Sequence, residues 1–319
     1  MIDYIKLEFP ITHKEKFLNN SKIKWIDKVI TSTGEVMGLP KGEFKNLKIE
    51  IFKSMVVVHG SVHVFYNMMT DGTKQNYNQF TFSMLERAIF WLKQELDFGL
   101  IDPNLRNIEF GVNIQIDQVP TGFLSQNVSM LRYRTPSQVN GYNGKGFYTE
   151  YTLGHYYVKL YAKSDQFNLD TPLIRFEIKT RKMKHVKPTK IKTLSDLLDK
   201  KKLMTLKSFL LNHLSNLLIL DSLDFSRIKD QSDLMFIQRY TNPKQFNVLK
   251  GRKKPTYDRL IKKLDNYGYL NLKKEIVMKI NEAWDKSLNN EPQFEYPPMP
   301  IDLHKSLSIP NIDRIHPYI

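Results

Sequence analysis

Alternating apolar and polar residues dominate the first two thirds of the chain. Successive side chains of a β-strand point to opposite faces of a sheet, so a period of two residues predicts strands. The pattern occurs over residues 2–9, 46–53, 55–66 and 107–117. Within the third stretch, Gly60 predicts a bend or a bulge. The first three stretches together indicate an antiparallel meander.

Residues 107–117, NIEFGVNIQID, alternate most regularly. Five apolar residues share one face: Ile108, Phe110, Val112, Ile114 and Ile116. On the other face Glu109 and Asn113 flank Gly111, whose missing side chain would let a backbone or a substrate approach closely. The strand therefore presents one apolar face and one face that could carry chemistry.

A further pair of strands, joined by a loop, is predicted within Gly154–Lys184, GHYYVKLYAKSDQFNLDTPLIRFEIKTRKMK. One face of the pair is apolar. The other face collects aromatic, cationic and acidic groups: His155, Tyr157, Lys159, Tyr161, Lys163, Arg175, Glu177 and Lys179. A merely solvated face seldom repeats tyrosine and lysine in register, whereas a site that binds a phosphate and attacks it needs these groups.

Helical periodicity appears once in this part of the chain and then dominates the rest. A period of 3.6 residues predicts a helix over 83–97, with Ser83 and Glu86 at capping-box spacing. After Lys184 the predicted helical segments are 193–202, 203–220, 230–240, 256–265 and 271–287. Strands followed by helices predict an α+β fold, with a mostly antiparallel sheet domain and a helical C-terminal region.

Composition narrows the class of protein. The 319 residues carry a net charge of +15, which favours a polyanionic partner such as nucleic acid. The chain has no cysteine, which excludes disulfides, thiolate metal sites and cysteine nucleophiles. The N-terminal residues do not form a signal peptide, and no apolar run approaches the ~18 residues of a membrane span. We therefore expect a cytoplasmic protein without a membrane partner.

The three polar strand faces would converge if the strands are neighbours, because adjacent strands lie about 4.8 Å apart. A tyrosine hydroxyl with its ordinary pKa near 10 needs a cation, a metal ion or a base to become a nucleophile. The candidates for catalysis are Tyr161, then Tyr157, with Lys163. Oxygen and nitrogen ligands for Mg²⁺ or Mn²⁺ would come from Glu109, Asn113, Glu177 and His155. The candidates for binding phosphates are Lys159, Arg175 and Lys179.

The same pattern has a structural interpretation. Lys–Glu cross-strand pairs and stacked tyrosines also stabilise a sheet face that a helix covers. The pattern of residues leaves both interpretations open.

Two other groups of residues are possible contributors. Residues 120–146 are predicted to form a loop in which Arg132, Arg134 and several glycines could meet phosphates. The alternative is a flexible hairpin connection. His59 and His63 would lie ~13 Å apart along a strand, too far to bind one ion unless Gly60 bulges the strand.

Several short motifs, taken in order, resemble the rolling-circle replication initiators of phages and plasmids. They are GSVHVFYN, NYNQFTFSML, IEFGVNI, YYVKLYAKSDQF and LIRFEIK, within residues 55–185. The type they resemble most is the filamentous-phage gene II/X replication proteins and their relatives in mobile elements of Bacteroidetes. The family pattern of Tyr-Asp-Lys and a later Arg-x-Glu matches Tyr161-Ala162-Lys163 and Arg175-Phe176-Glu177.

The resemblance implies a sheet-based nuclease of the HUH or a related type. Its tyrosine would cut one strand of origin DNA and hold the 5′-phosphate, a divalent cation would polarise the scissile phosphate, and the released 3′-OH would prime synthesis. The domains would be an α+β DNA-processing domain (1–187), a helical DNA-binding or accessory region (188–290) and an extended Pro-rich tail (291–319). Partners would be single-stranded or hairpin origin DNA and the host helicase and polymerase.

Two departures from the family pattern favour a DNA-binding protein without nuclease activity. Ala162 replaces the acidic residue between Tyr and Lys, and Asn113 stands where relatives carry Asp. Glu109 would take over the role of that Asp, or the metal site would be lost. A DNA-binding repressor or maturation factor without nuclease activity is therefore an alternative. An RNA-binding protein that stacks bases on Phe and Tyr is another.

Overall fold

The computed structural model describes residues 1–29, 36–142, 145–221, 225–268 and 271–291. The predicted tail, 291–319, lies outside these ranges apart from Glu291, and so do Asn143 and Gly144 of the glycine-rich segment.

Twelve strands lie within the described ranges. They are β1 (Ile2–Pro10), β2 (Lys24–Val29), β3 (Val36–Phe44), β4 (Leu47–Ile51), β5 (Met55–Ser61), β6 (Asn104–Gln115), β7 (Val128–Leu131), β8 (Gln138–Tyr142), β9 (Lys145–Thr152), β10 (Tyr156–Ala162), β11 (Leu173–Thr180) and β12 (Leu217–Ile219). Ten form one sheet in the order β2-β3-β4-β5-β1-β6-β11-β10-β9-β8. Each neighbouring pair in it is antiparallel. β7 and β12 form a separate antiparallel pair.

Nine α-helices lie within the same ranges. They are α1 (Lys14–Leu18), α2 (Val62–Thr70), α3 (Phe82–Glu95), α4 (Pro120–Asn127), α5 (Lys163–Phe167), α6 (Lys200–Ser215), α7 (Gln231–Tyr240), α8 (Lys253–Asn266) and α9 (Asn271–Asn289). The predicted α+β fold, with a mostly antiparallel sheet and a helical C-terminal region, is confirmed. No described helix has the length and apolar character needed to cross a membrane.

The apolar faces predicted for β6, β10 and β11 belong to one hydrophobic core. That core also takes in buried side chains of α2, α3, α6 and α9. Phe110 of β6, for example, is fully buried and its ring centroid lies 6.4 Å from that of Phe209 on α6. A second, smaller core includes Phe246 and joins α7 and α8 to the β7–β12 pair.

The prediction of one strand over residues 55–66 is wrong. β5 ends at Ser61, whose Oγ accepts a hydrogen bond at 3.0 Å from the backbone N–H of Val64 and so begins α2. Gly60 does not bulge the strand, because the pairing with β1 continues through it. A Cβ at Gly60 would lie 2.8 Å from Leu47, so the glycine instead lets the β3–β4 turn pack closely.

Other boundaries differ for similar local reasons. Thr81, and not Ser83, caps α3, because its hydroxyl accepts a hydrogen bond from the backbone N–H of Met84. The helix predicted over 203–220 ends at Ser215, because the next residues form β12 against β7. Residues 120–146, predicted as a loop, contain α4, β7 and β8.

Candidate active site

The strands β6, β11 and β10 are consecutive neighbours in the sheet. Their register places Glu109 opposite Lys179, and Glu177 opposite Lys159. Arg175 lies opposite Tyr161 on one side and Asn113 on the other. Since directly opposed residues share a face, the three polar faces form one surface.

Three buried carboxylates gather on this surface. Oxygens of Asp3, Glu109 and Glu177 all lie within 4.8 Å of one another. The three residues are 3%, 7% and 1% exposed, so water alone does not compensate their charges. A group of this kind is either neutralised by neighbouring cations or able to bind a metal ion.

Sequence reasoning missed Asp3. Regular alternation along β1 would put Asp3 on the apolar side with Ile5. The register shifts between Ile2 and Tyr4, so that two residues of β1 span one residue of β6. Such a bulge re-aims a side chain, and it brings Asp3 to the polar surface. The one available signal was a charged residue at an apolar position of the pattern.

Two cations bridge the carboxylates. Lys159 Nζ lies 3.1 Å from Glu109 Oε2 and 3.1 Å from Glu177 Oε1. Arg175 donates from Nε to Glu177 Oε2 at 2.6 Å and from Nη2 to Asp3 Oδ2 at 3.3 Å. The group is therefore a connected network of ion pairs.

Electrostatic coupling separates the pKa values of the carboxyl groups. Burial alone would raise the pKa of Glu177, but Lys159 and Arg175 outweigh it and lower that pKa. Arg175 likewise outweighs the burial of Asp3 and lowers its pKa. Burial raises the pKa of Glu109, and the nearby Glu177 adds to the increase. Glu109 is thus the carboxylate that accepts a proton most readily.

Asn113 and Gly111 have structural partners at this surface. Asn113 Oδ1 accepts from Arg175 Nη1 at 3.0 Å, and its Nδ2 donates to the carbonyl of Tyr77 at 2.9 Å. A Cβ on Gly111 would lie 2.2 Å from the carbonyl oxygen of Phe176. The gap predicted at Gly111 is therefore filled by the backbone of β11.

Tyr161 lies at the edge of the acidic group. Its hydroxyl donates to Glu177 Oε2 at 3.2 Å, and the residue is 6% exposed. Burial and the Glu177 charge raise its pKa well above the ordinary value, so the phenol is protonated in this geometry. Tyr157 lies on the same face and is partly exposed, with the Arg181 guanidinium 5.6 Å from its ring centroid.

Lys163 was predicted as the last polar residue of the strand, but β10 ends at Ala162 and Lys163 begins α5. Its ammonium still reaches the site, 5.4 Å from the ring centroid of Tyr161. It donates to Asn76 Oδ1 at 2.6 Å and to Gln166 Oε1 at 3.1 Å. Burial, aided by Arg175, lowers its pKa to about 7.

The segment between α2 and α3 contacts the site directly. Asn76 Nδ2 donates to Asp3 Oδ2 at 2.8 Å, and its Oδ1 accepts from Lys163. Asn78 Oδ1 lies 2.7 Å from His63 Nε2. His63 is on α2 and not beside His59 on a strand, and burial lowers its pKa to about 3.

Three predicted residues lie elsewhere. His155 is exposed in the turn between β9 and β10, and it does not belong to the acidic group. Arg132 is exposed and donates from Nε to Asn216 Oδ1 at 2.7 Å, next to the helical region. Arg134 is exposed near the same position, where it lines a cavity of about 220 Å³ with Arg132.

Comparison with known proteins finds a likeness in structure but none in sequence. No protein-family model and no curated protein sequence matches the chain. One solved structure that matches is the rolling-circle replication initiator protein from Geobacillus stearothermophilus. The match has 12% identity and a TM-score of 0.39, and it covers 72% of this chain and 88% of that chain. The function of this chain therefore has to be inferred from the chemistry of its own residues.

Proposed function

We propose that this protein nicks one strand of DNA at a replication origin and so starts rolling-circle replication of a phage or a plasmid. The observation that carries the proposal is the group of three carboxylates within 4.8 Å, next to the hydroxyl of Tyr161. A nucleophile, a set of hard oxygen ligands and several cations then occupy one surface of the sheet. Phosphodiester transfer needs these three components.

The carboxylates fit a divalent cation by their chemistry. Mg²⁺ and Mn²⁺ prefer oxygen ligands, and Asp3, Glu109 and Glu177 would hold the ion. Each carboxylate has several acceptor positions, so it can keep its bond to Lys159 or Arg175. When bound, the ion would neutralise the carboxylates and polarise a phosphate oxygen.

Tyr161 would supply the nucleophile. Its hydroxyl oxygen would bond to phosphorus while the bond from phosphorus to the 3′ oxygen breaks, which leaves the 5′-phosphate on the enzyme. The tyrosine proton would leave along the hydrogen bond to Glu177 and come to rest on Glu109, the carboxylate that accepts a proton most readily. Lys163, with a pKa of about 7, would protonate the departing 3′ oxygen.

Phosphate binding would fall mainly to Lys179. Its side chain is 30% exposed and lies 3.3 Å from Glu109, whereas Lys159 and Arg175 are occupied between carboxylates. The helical region beyond residue 188, with Arg132 and Arg134 beside it, would bind flanking duplex.

The decisive experiment uses end-labelled origin DNA, Mn²⁺ and a denaturing gel. The wild-type protein should leave a covalent protein–DNA adduct, and Tyr161→Phe should leave none. Tyr157→Phe is the matched control, because Tyr157 is on the same strand face but does not contact Glu177. An adduct that persists in Tyr161→Phe and disappears in Tyr157→Phe would move the nucleophile to Tyr157.

A second experiment tests the metal ligands. Asp3→Asn should reduce nicking by roughly 100-fold or more, because one of the groups that would bind the charge-neutralising ion is lost. Glu95→Gln is the control, since Glu95 is a carboxylate on α3 that pairs with Lys22 and belongs neither to the acidic group nor to its surroundings. Equal activity of the two variants would remove Asp3 from the metal site.

A DNA-binding protein without nuclease activity is the second candidate. Two observations favour it: Lys159 and Arg175 already compensate the carboxylates, and Tyr161 is buried with a raised pKa. Metal titration separates the two functions. A binder would retain full DNA affinity without Mg²⁺ or Mn²⁺ and would form no adduct with them.

A further inference from the structure

A long groove crosses the same face of the sheet next to the acidic group. It consists of two cavities, of about 1030 Å³ and about 600 Å³. Lys6 and Leu39 line both of them, so the two cavities adjoin. The groove spans β3, β4, β5, β1 and the end of β6.

The charge of the larger cavity is entirely positive. Its cationic lining residues are Lys6, Lys53, Arg106, Arg181 and Lys182. No carboxylate is among the described residues that line it. Arg106 pairs with Glu8 outside the cavity, whereas Lys53, Arg181 and Lys182 are exposed. A polyanion would therefore meet several cations at once.

The rest of the larger cavity is mostly apolar. Its apolar lining residues are Leu39, Phe52, Met55, Val57, Leu105 and Met183. Side chains that pack fully in a core cannot contact a ligand, but Phe52, Met55 and Met183 remain partly exposed. The groove thus combines cations with an apolar surface, the combination that binds unpaired nucleic-acid strands.

The groove begins where the candidate site ends. The Tyr4 ring lies 4.3 Å from Lys179 Nζ, and the Tyr4 hydroxyl lies 3.0 Å from His59 Nδ1. Lys179 pairs with Glu109 of the acidic group, and His59 lines the smaller cavity. Arg181 of the larger cavity contacts the ring of Tyr157 on β10. A strand bound at the acidic group could continue across Tyr4 into the groove.

We propose that this groove binds the single-stranded DNA adjoining the scissile phosphate. The inference rests on the proposed nicking function and assigns that site a path for its substrate. Phosphates would contact Lys6, Lys53, Arg181 and Lys182, and bases would pack on Phe52, Met55 and Met183. A duplex would use the cations but would keep its bases from the apolar surface, so unpaired DNA fits the groove better.

Binding of fluorescein-labelled oligo-dT, followed by anisotropy in EDTA, tests the cations without cleavage. The double variant Lys53→Gln/Lys182→Gln should bind about 10- to 30-fold more weakly near 0.1 M salt, because each lost single-strand phosphate contact removes about 0.7 from the salt slope. The control Lys16→Gln/Lys22→Gln removes two exposed lysines that lie outside the groove and outside the helical region, and it should bind like the wild type. Equal losses in the two double variants would overturn the proposal.

The apolar surface is tested separately. Phe52→Ala should weaken oligo-dT binding about fivefold or more, because base stacking on an aromatic ring is lost, while its salt slope stays unchanged. Affinity for a duplex of equal length should change little. An unchanged oligo-dT affinity, or tighter binding of the wild type to oligo-rU than to oligo-dT, would overturn the assignment to single-stranded DNA. Circular dichroism melts identify any variant that has lost its fold.

The groove and the nicking function can fail independently. If no adduct forms under any condition but the lysine and Phe52 variants lose oligo-dT binding, the groove stands and the enzyme assignment falls. If wild-type nicking is robust and all groove variants bind and nick normally, the groove is wrong and the function stands.

Discussion

The two faces of β6, β10 and β11 both contain deeply buried residues, but they are chemically opposite. On one face Phe176 and Ile178 are fully buried, and on the other Arg175 and Glu177 are 3% and 1% exposed. Burial of apolar side chains is the main source of folding stability. Burial of charges costs desolvation energy that their ion pairs repay only in part. The same strands therefore stabilise the protein through one face and carry a cost on the other.

This difference indicates that the polar face has a role other than stabilising the fold. Hydrophobic residues of similar volume in place of a buried ion pair are often neutral or stabilising. A network of three carboxylates and two cations is thus a poor way to fill space. Its presence in the middle of a large sheet is the physical reason to propose chemistry there.

The largest effect should come from the apolar face. Phe176→Ala removes a fully buried ring and should lower the free energy of unfolding by about 3–5 kcal/mol. Urea denaturation measures this loss. Adding Mn²⁺ should stabilise the variant no more than it stabilises the wild type, because Phe176 points away from the carboxylates.

Arg175→Met should cost a similar amount for a different reason. It leaves Asp3 and Glu177 buried without their main cation, which costs about 3–5 kcal/mol. Here Mn²⁺ should restore stability by more than it adds to the wild type, since the ion would replace the missing positive charge. If Mn²⁺ shifts the urea midpoints of the Arg175 and Phe176 variants equally, the ion does not replace the charge of Arg175 and the contrast is lost.

The sequence predicted the apolar face well, because that face follows from one simple pattern. Period-two alternation requires only that a strand keep its register, and β6, β10 and β11 do so through the site. The same rule placed Glu109, Tyr161 and Glu177 on one surface. It did not give the order of the strands, which depends on contacts between distant segments.

The polar face was predicted incompletely, because two of its residues come from places where the regular alternation of a strand is interrupted or absent. Asp3 reaches the site through a bulge in β1, and Asn76 reaches it from the segment between α2 and α3. Val62 and Val64 favour a strand by propensity, yet Ser61 caps a helix there. Such features arise from tertiary contacts, which a local pattern does not encode.

A mutant cycle between Glu109 and Lys159 sharpens the comparison. Each single change, Glu109→Leu or Lys159→Met, removes one ion pair from the buried network and should cost up to roughly 3 kcal/mol. Lys159 then keeps Glu177 as its partner, or Glu109 keeps Lys179. The double variant should recover to within about 1.5 kcal/mol of the wild type, because its site is then filled by apolar groups. Nicking should be absent from it. Additive losses in urea would mean that the two side chains do not act as a pair.

The smallest effect is the pH dependence contributed by Lys163. Its pKa is lowered from 10.5 to about 7 in the folded protein. Between these values the unfolded chain binds more protons than the folded one, so stability rises with pH. The slope contributed by this one group approaches about 1.4 kcal/mol per pH unit inside that window. Below pH 7 both states are protonated and the contribution is flat.

Comparing Lys163→Met with the wild type isolates this contribution, because every other titrating group is shared. The difference between their unfolding free energies should widen in favour of the wild type from pH 7 to 10, and Lys201→Met, at an exposed position, should show no such trend. Phe176 does not titrate, so Phe176→Ala should lower the unfolding free energy by the same amount at every pH. A Lys163→Met curve parallel to that of the wild type would mean that the ammonium is hydrated in the folded state. Lys163 would then keep its proton at neutral pH and remain suited to binding a phosphate, but it would lose its proposed role as the acid for the 3′ oxygen.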